Sequence, residues 1–163
     1  MKYLAALLSV LLLAACAQKT STPPEIADFV LVDKSDRAIA LYTDGAVTKT
    51  YGGIQFGDAP RGHKQFEGDE RTPEGRYTID TRNPNSAYHL SLRVSYPNAA
   101  DRAFAETQGR SPGGDIFIHG QPNGLPAGRM VGDWTDGCIA VTNAEMAELW
   151  RAIPDGTPIE IRP

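Results

Sequence analysis

Residues 115–141 read DIFIHGQPNGLPAGRMVGDWTDGCIAV, two short apolar runs joined by a loop. The first run, Asp115–His119, is compact and apolar, which predicts a strand that ends on its histidine. The segment Gly120–Trp134 is rich in glycine and predicts a flexible loop. This loop leads to the second run, Gly137–Val141, which includes Cys138. A histidine and a cysteine are therefore expected at the ends of two neighbouring apolar segments.

The segment that follows residue 141 carries the signals of a short helix. Thr142 is followed three residues later by Glu145, which is the spacing of an N-terminal capping box. Apolar residues then recur at helical spacing until Pro154–Gly156 stops the helix. Thr157–Ile161 predicts a final strand. The recurring apolar residues are Met146, Leu149, Trp150 and Ile153.

The segments upstream of residue 115 mostly have the pattern of strands. Ile26–Val32 is apolar at nearly every position and predicts a strand buried on both faces. Gly52–Gly75 is a loop-rich stretch, and the first three strands, joined by short connections, predict an antiparallel meander. The expected fold class is therefore mainly β with one or two short helices. The other predicted elements are strands at Ala38–Tyr42, Ala46–Tyr51, Arg76–Asp80 and His89–Tyr96, and a helix at Ala99–Gly109.

The length and composition exclude several classes of function. A chain of 163 residues has room for one domain. The formal net charge of −4 argues against nucleic acid as a partner, because binding to the phosphate backbone needs a basic face. The spacing of cysteines, histidines and carboxylates matches no metal site, and no glycine-rich loop ends in the Lys-Ser/Thr of a phosphate cradle. We therefore expect neither a metal nor a cofactor.

The N-terminus predicts export and a lipid anchor. Residues 1–16 combine one lysine with an apolar run that is too short to span a bilayer, and they end in Leu13-Ala14-Ala15-Cys16, which resembles a lipoprotein signal peptide with its lipobox. By that resemblance Cys16 carries lipid, residues 17–25 form a tether, and residues 26–163 form the domain. The expected location is the periplasmic side of the outer membrane of a Gram-negative bacterium. Cys138 would then be a free thiol in an oxidising compartment.

The residues around Cys138 suit nucleophilic catalysis. A histidine such as His119 can take the proton of a thiol that is mostly un-ionised at neutral pH. Gly137 lets the chain turn sharply, so that its N–H and that of Cys138 are candidate donors to an oxyanion. Two alternatives stay open on these residues alone, since a lone cysteine is often inert core and a histidine at a strand end is often structural.

Two motifs resemble those of L,D-transpeptidase (YkuD-like) catalytic domains. The first is Ile118-His119-Gly120 followed, after a loop, by Thr135-Asp136-Gly137-Cys138-Ile139. The second is Gly68–Tyr77, which is similar to the early G-D-x-x-T-P-x-G-x-Y segment of the family. The resemblance implies a small β-sandwich-like domain with a helix packed against it. It also implies that the domain acts on peptidoglycan stem peptides.

The resemblance implies a role for each matching residue. Cys138 would attack a stem-peptide carbonyl, His119 would act as general base and then acid, and the backbone carbonyl of Gly120 would orient the histidine. The products would be a cross-link, an exchanged D-amino acid or an attached protein. The residues that we predict to contact the substrate are Trp134, Thr135, Asp136, Arg71 and Tyr96.

Two departures from the family pattern keep other functions open. Asp136 stands where the family often has histidine, and Ala140 stands where many members have an arginine that can hold a substrate carboxylate. The second departure resembles a subgroup that includes hydrolases, which detach a wall-attached lipoprotein from peptidoglycan. Hydrolysis is therefore the first alternative, with such a lipoprotein as partner. A non-catalytic peptidoglycan-binding lipoprotein is the second.

Overall fold

The computed structural model describes residues 25–125 and 127–163. The predicted signal peptide with Cys16, and the predicted tether apart from its last residue, lie outside the described residues. Within the described ranges, no helix is both long and apolar enough to cross a membrane.

Eight strands and two helices make up the described chain, in agreement with the predicted mainly β class. The two helices are α1 at Ala99–Thr107, which begins at a capping box formed by Asn98 and Asp101, and α2 at Asn143–Ala152. The strands are β1 Phe29–Asp33, β2 Ala38–Thr43, β3 Ala46–Gly52, β4 Gly75–Asn83, β5 Ser91–Val94, β6 Phe117–His119, β7 Ile139–Ala140 and β8 Thr157–Arg162.

All eight strands belong to one hydrogen-bonded sheet in the order β3-β2-β1-β8-β4-β5-β6-β7. The first three strands form the predicted antiparallel meander, and β8 continues the sheet by running parallel to β1. The sheet is curled, as a contact between its two edges shows. Gln55, which lies three residues after the edge strand β3, forms an antiparallel bridge with Ala140 of β7 at the other edge. This bridge brings the loop after β3 next to the two strands that carry the predicted catalytic residues.

The strand β1 departs from its prediction in both position and burial. It begins at Phe29 instead of Ile26, whose side chain is 56 % exposed. Burial alternates along the strand, with Val30 and Val32 in the core and their neighbours half-buried. The prediction of a strand buried on both faces was therefore wrong: an apolar run on one side of a curled sheet needs only every second residue in the core.

The helix α2 begins where the sequence predicts it. The Thr142 side chain accepts the Glu145 N–H at 3.2 Å, and the Glu145 carboxylate accepts the Thr142 N–H at 2.8 Å. The helix buries Met146, Leu149 and Ala152 and packs against β5 and β6. This packing supports β6 from the side opposite the candidate site, because Ile118 of β6 is also fully buried in the core.

Candidate active site

The pairing of β6 with β7 places His119 and Cys138 on the same face of the sheet. The two strands are parallel, and Ile118 lies opposite Ile139 while His119 lies opposite Ala140. Both isoleucines point into the core with no exposure. Because side chains alternate along a strand, His119 and Cys138 project to the other face, where Cys138 lies opposite Phe117.

Two adjoining clefts meet at this pair of side chains. One cleft has a volume of about 280 Å³ and the other about 320 Å³. Both are lined by Tyr88, Asp115, His119 and Cys138. A thiol between two clefts can be approached from both sides, as a reaction with a donor and a second reactant requires. The first cleft is also lined by Asn83, Ser86, Ala87, Ser91 and Phe117, and the second by Gly114, Ile116, Trp134, Thr135 and Asp136.

The imidazole of His119 is held in one orientation and kept uncharged. Its Nδ1 lies 2.7 Å from the carbonyl oxygen of Gly120, as predicted for this glycine. A carbonyl can only accept, so Nδ1 carries the proton and Nε2 is left as an acceptor. Burial lowers the pKa of His119, although the hydrogen bond to Gly120 opposes this effect. The neutral ring is the form that can take a proton.

Glycine is required at position 120 because the backbone is tightly surrounded. A Cβ atom there would lie 2.5 Å from the side-chain oxygen of Asn143 and 3.0 Å from the carbonyl oxygen of Tyr88. A side chain at position 120 would therefore force these groups or the backbone of residue 120 to shift. Steric crowding therefore explains why glycine occupies this position of the motif.

The thiol of Cys138 is protonated at neutral pH. Burial raises its pKa to about 11, and the negative charges of Asp136 and Asp115 act in the same direction. The Phe117 N–H, which donates to Sγ at 3.4 Å, has the opposite effect on the pKa. A neutral thiol beside a neutral imidazole indicates that the proton moves to His119 as the sulfur attacks, because little thiolate exists beforehand.

The backbone at Cys138 can stabilise an oxyanion. Among the described residues, none accepts a hydrogen bond from the Cys138 N–H. The Gly137 N–H instead points to the Thr135 hydroxyl at 3.3 Å, and this hydroxyl donates to the Cys138 carbonyl at 2.8 Å. Gly137 has φ of +115°, and a Cβ atom there would collide with the carbonyl of Arg71. The free N–H of Cys138 is thus the better placed of the two predicted donors.

The predicted substrate contacts divide into two groups. Trp134, Thr135 and Asp136 line the second cleft, although Thr135 is buried and shapes the turn. Arg71 and Tyr96 line neither cleft. Arg71 contributes its carbonyl to the packing at Gly137, while its guanidinium lies near Gly62.

The prediction for Tyr96 is corrected by its burial. Only 5 % of this residue is exposed, and its hydroxyl donates to the carbonyl of Pro112 at 2.9 Å. Its ring packs against Tyr77 and His63. Tyr96 therefore belongs to the core, and the Arg71 side chain lies near Gly62 and lines neither cleft.

Tyr88 and Asp115 belong to the site but were not predicted from the sequence. The ring of Tyr88 packs on that of His119 with centroids 4.7 Å apart, and the ring of Trp134 meets the same imidazole edge-on at 5.6 Å. Asp115 lies between the two clefts, and its carbonyl accepts from the Cys138 thiol at 3.5 Å. An isolated tyrosine in a loop gives no sequence signal; Asp115 stood only as the first residue of a strand.

The described residues include no group of three or more histidines, cysteines and carboxylates that could hold a metal ion.

Comparisons with known proteins identify the family of this chain. The profile of the YkuD family, the L,D-transpeptidase catalytic domain, matches residues 27–161. YafK of Escherichia coli (strain K12), whose name assigns it provisionally to the L,D-transpeptidases, is 26 % identical over 137 residues, which cover 77 % of this chain and 46 % of YafK. The chain therefore spans about half the length of the curated relatives that it matches.

Solved structures show the same fold. The helical cell shape determining protein Pgp2 from Campylobacter jejuni superimposes with a TM-score of 0.64 at 30 % identity, covering 82 % of this chain and 46 % of Pgp2. The L,D-transpeptidase from Xylanimonas cellulosilytica has the fold at 16 % identity and a TM-score of 0.56, covering 88 % of this chain and 64 % of its own. The predicted fold is thus confirmed, and the chain belongs to the YkuD family of L,D-transpeptidase catalytic domains.

Proposed function

We propose that this protein is a cysteine-dependent L,D-transpeptidase that acts on peptidoglycan stem peptides through an acyl-enzyme. The observation that carries the proposal is the placement of Cys138 and His119 on one face of the sheet, at the junction of two clefts. A neutral imidazole with its Nε2 available, next to a protonated thiol, is the starting state of nucleophilic acyl transfer.

The proposed reaction proceeds in two halves. The Cys138 Sγ attacks the carbonyl carbon of the residue before the scissile bond while its proton passes to Nε2 of His119. The resulting oxyanion accepts a hydrogen bond from the Cys138 N–H. His119 then gives the proton to the leaving amine, the C–N bond breaks, and a thioester remains on Cys138.

The second half resolves the thioester. An amine from another stem or from a protein attacks the same carbonyl, gives up a proton to His119, and forms a new amide as the thiol is regained. Water in the same position would give hydrolysis. Tyr88 and Trp134 cover two sides of the imidazole and limit the access of water to it.

Incubation of the protein with purified peptidoglycan and with tetrapeptide stems, followed by mass spectrometry, tests the proposal. We expect new cross-linked stems or exchange of the terminal D-amino acid. Cys138→Ala and His119→Ala should abolish both, whereas His89→Ala is a matched histidine control and should retain them. Products that persist in Cys138→Ala would refute the mechanism.

A second candidate is hydrolysis of a stem or of a stem–lipoprotein bond, and the charge of the clefts favours the stem–lipoprotein bond of these two. The described residues that line them include Asp115 and Asp136 but no lysine or arginine. The carboxylate of a leaving D-alanine would be repelled by these two negatively charged aspartates, whereas a leaving amine from a protein side chain carries no carboxylate and would not be repelled. The same incubation in ¹⁸O-water decides: release of tripeptide or of bound protein with incorporation of ¹⁸O would establish hydrolysis.

The third reading is a peptidoglycan-binding lipoprotein without turnover. It predicts binding to peptidoglycan that survives Cys138→Ala, with no product from the parent protein. Pgp2, by its name a determinant of helical cell shape, matches this domain, and we propose that this chain likewise contributes to cell shape.

We propose further that lipid on Cys16 anchors the protein to the outer membrane, facing the periplasm. The support is the Leu13-Ala14-Ala15-Cys16 sequence. Labelling of cells with a clickable fatty acid should mark the parent protein but not Cys16→Ser. Equal labelling of both proteins, or of neither, would refute the anchor.

A further inference from the structure

Two buried glutamines, Gln55 and Gln121, lie behind the wall of the second cleft. Their exposures are 7 % and 1 %, so neither side chain can rely on water for its hydrogen bonds. The amide of Gln121 donates to the Gln55 side-chain oxygen at 3.2 Å. We call the two residues the amide pair. A buried pair of this kind is stable only when its remaining groups also find partners.

The remaining groups of the amide pair bind the loop that connects His119 to Cys138. The Gln55 amide donates to the carbonyls of Met130, at 2.7 Å, and of Gly132. The Gln121 side-chain oxygen accepts the Met130 N–H at 2.8 Å. These contacts hold the loop from inside, close to the point where it turns toward Cys138.

The amide pair also joins the loop to the strands on either side. The Gln121 amide donates to the carbonyl of Val141 at 2.8 Å, just after β7. The backbone of Gln55 exchanges two hydrogen bonds of 2.9 Å with Ala140 of β7. Gln121 itself follows His119 by two residues. The pair therefore spans the end of the strand that carries His119 and the strand that begins beside Cys138.

The connection to the chemistry is the indole of Trp134. Its Nε1–H donates to the Gln55 side-chain oxygen at 3.3 Å. The same indole meets the imidazole of His119 edge-on at 5.6 Å. Among the described residues, the one hydrogen-bond partner of the imidazole is the Gly120 carbonyl, and the tilt of the ring about that bond depends on the rings packed against it.

We propose that Gln55 and Gln121 are positioning residues for acyl transfer, which set Trp134 and thereby the orientation of His119 toward Cys138. The proposal rests on the proposed function. Neither glutamine lines the clefts, so both act through the indole and the loop. Displacement of a catalytic group by about 1 Å can lower a rate by about 100-fold, which makes a rigid support behind His119 worthwhile.

The central test is Gln55→Met, which keeps the size of the side chain but removes its amide. Gln108→Met, at an exposed glutamine after α1, is the matched control. We expect kcat of Gln55→Met to fall by roughly 10- to 100-fold with KM within about twofold, because the loss is one of alignment. Gln108→Met should equal the parent. A kcat of Gln55→Met within twofold of the parent would overturn the proposal.

A spectroscopic signature distinguishes positioning from general destabilisation. The chain has two tryptophans, so a ¹H–¹⁵N correlation NMR spectrum contains two indole N–H signals. We expect Gln55→Met to move the Trp134 signal and to leave the Trp150 signal in place. Unmoved signals for both would show that Gln55 does not hold the indole and would count against the proposal.

One further variant and one further measurement keep the test decisive. If Gln55→Met does not fold, Trp134→Phe replaces it, since it removes the indole N–H that Gln55 accepts and keeps a smaller aromatic ring beside His119. We expect a smaller fall in kcat, and a rate equal to the parent would overturn the proposal. If the parent protein itself is inactive, the proposed function fails, and the positioning role is then tested without activity. The test is an NMR titration of His119 in the parent and in Gln55→Met. A raised His119 pKa in the variant, from water reaching a loosened ring, would support positioning, and an unchanged pKa would refute it.

Discussion

The protonation state of Cys138 leads to a quantitative prediction about thiol reactivity. Burial, together with the charges of Asp136 and Asp115, raises the pKa of Cys138 to about 11. At pH 7 the thiolate fraction would then be about 10⁻⁴, against about 3 % for an unperturbed thiol with a pKa of 8.5. The structure therefore predicts a thiol that is slow toward simple alkylating agents although it lines two clefts.

The assay is the rate of alkylation by iodoacetamide between pH 6 and pH 9.5. Digestion with trypsin releases residues 130–151 as one peptide, so mass spectrometry reads Cys138 separately from Cys16. Because only the thiolate reacts, the rate should rise about tenfold for each pH unit, with no plateau in this range. A thiolate–imidazolium pair would instead give a rate that is nearly constant across neutral pH.

Removal of one nearby charge should shift this profile in a known direction. Asp136 is exposed and its negative charge contributes to the raised pKa of Cys138. Asp136→Asn should therefore lower the pKa and speed alkylation at pH 8. Asp44→Asn, at an exposed aspartate in the turn between β2 and β3, is the charge-matched control and should change nothing. A pH-independent rate in the parent, or slower alkylation in Asp136→Asn, would refute the reasoning.

Three further predictions concern stability. Gly137→Ala should lower the free energy of unfolding more than Gly45→Ala does. Both glycines have a positive φ, so alanine adds about 1–3 kcal/mol of backbone strain at either position, but only Gly137 is also crowded by neighbouring backbone atoms. Urea denaturation measures the free energy of unfolding of both variants. The pKa of His119 is lowered in the folded state, so its neutral form contributes stability above the unfolded pKa, which is lost as pH falls. The unfolding free energy of the parent relative to His119→Gln should accordingly decrease from pH 7 to pH 5, and a constant difference would contradict this sign. Lys34 is buried against Glu74, with Nζ and Oε1 2.6 Å apart. Glu74→Gln leaves the buried lysine charge without its partner and should destabilise the protein by about 3 kcal/mol, and the double variant with Lys34→Met should recover part of that loss. If the single and the double variant are equally unstable, the buried charge is not the cause.

Local signals in the sequence account for the elements that were predicted well. The capping box of Thr142 and Glu145 starts α2 because its partners are three residues apart. The meander of β1, β2 and β3 follows from turns of a few residues. Cys138 and the His119-Gly120 pair were predicted because each lies in a short contiguous motif, and the structure places all three residues at one site across the loop that separates the two motifs.

Element boundaries were predicted less well where the tertiary structure imposes them. The strand predicted at His89–Tyr96 is limited to Ser91–Val94, since His89 has a positive φ of 70° and its N–H is held by Asn123 of another loop. No residue within the segment signals this contact. Ile26, the first residue of a predicted strand, lies before β1 and is exposed, although its apolar side chain predicts burial.

The sequence by itself determined the family and the strand-rich class, and it predicted a nucleophile with its base, because all of these depend on residue order and on short motifs. Only the tertiary structure decided which other side chains join them. Tyr88 reaches His119 across 31 positions, and Gln55 reaches Trp134 across 79, while Tyr96 is withdrawn into the core. Such contacts depend on how the sheet curls and on which loops it brings together, and that long-range arrangement leaves no periodic pattern in the chain.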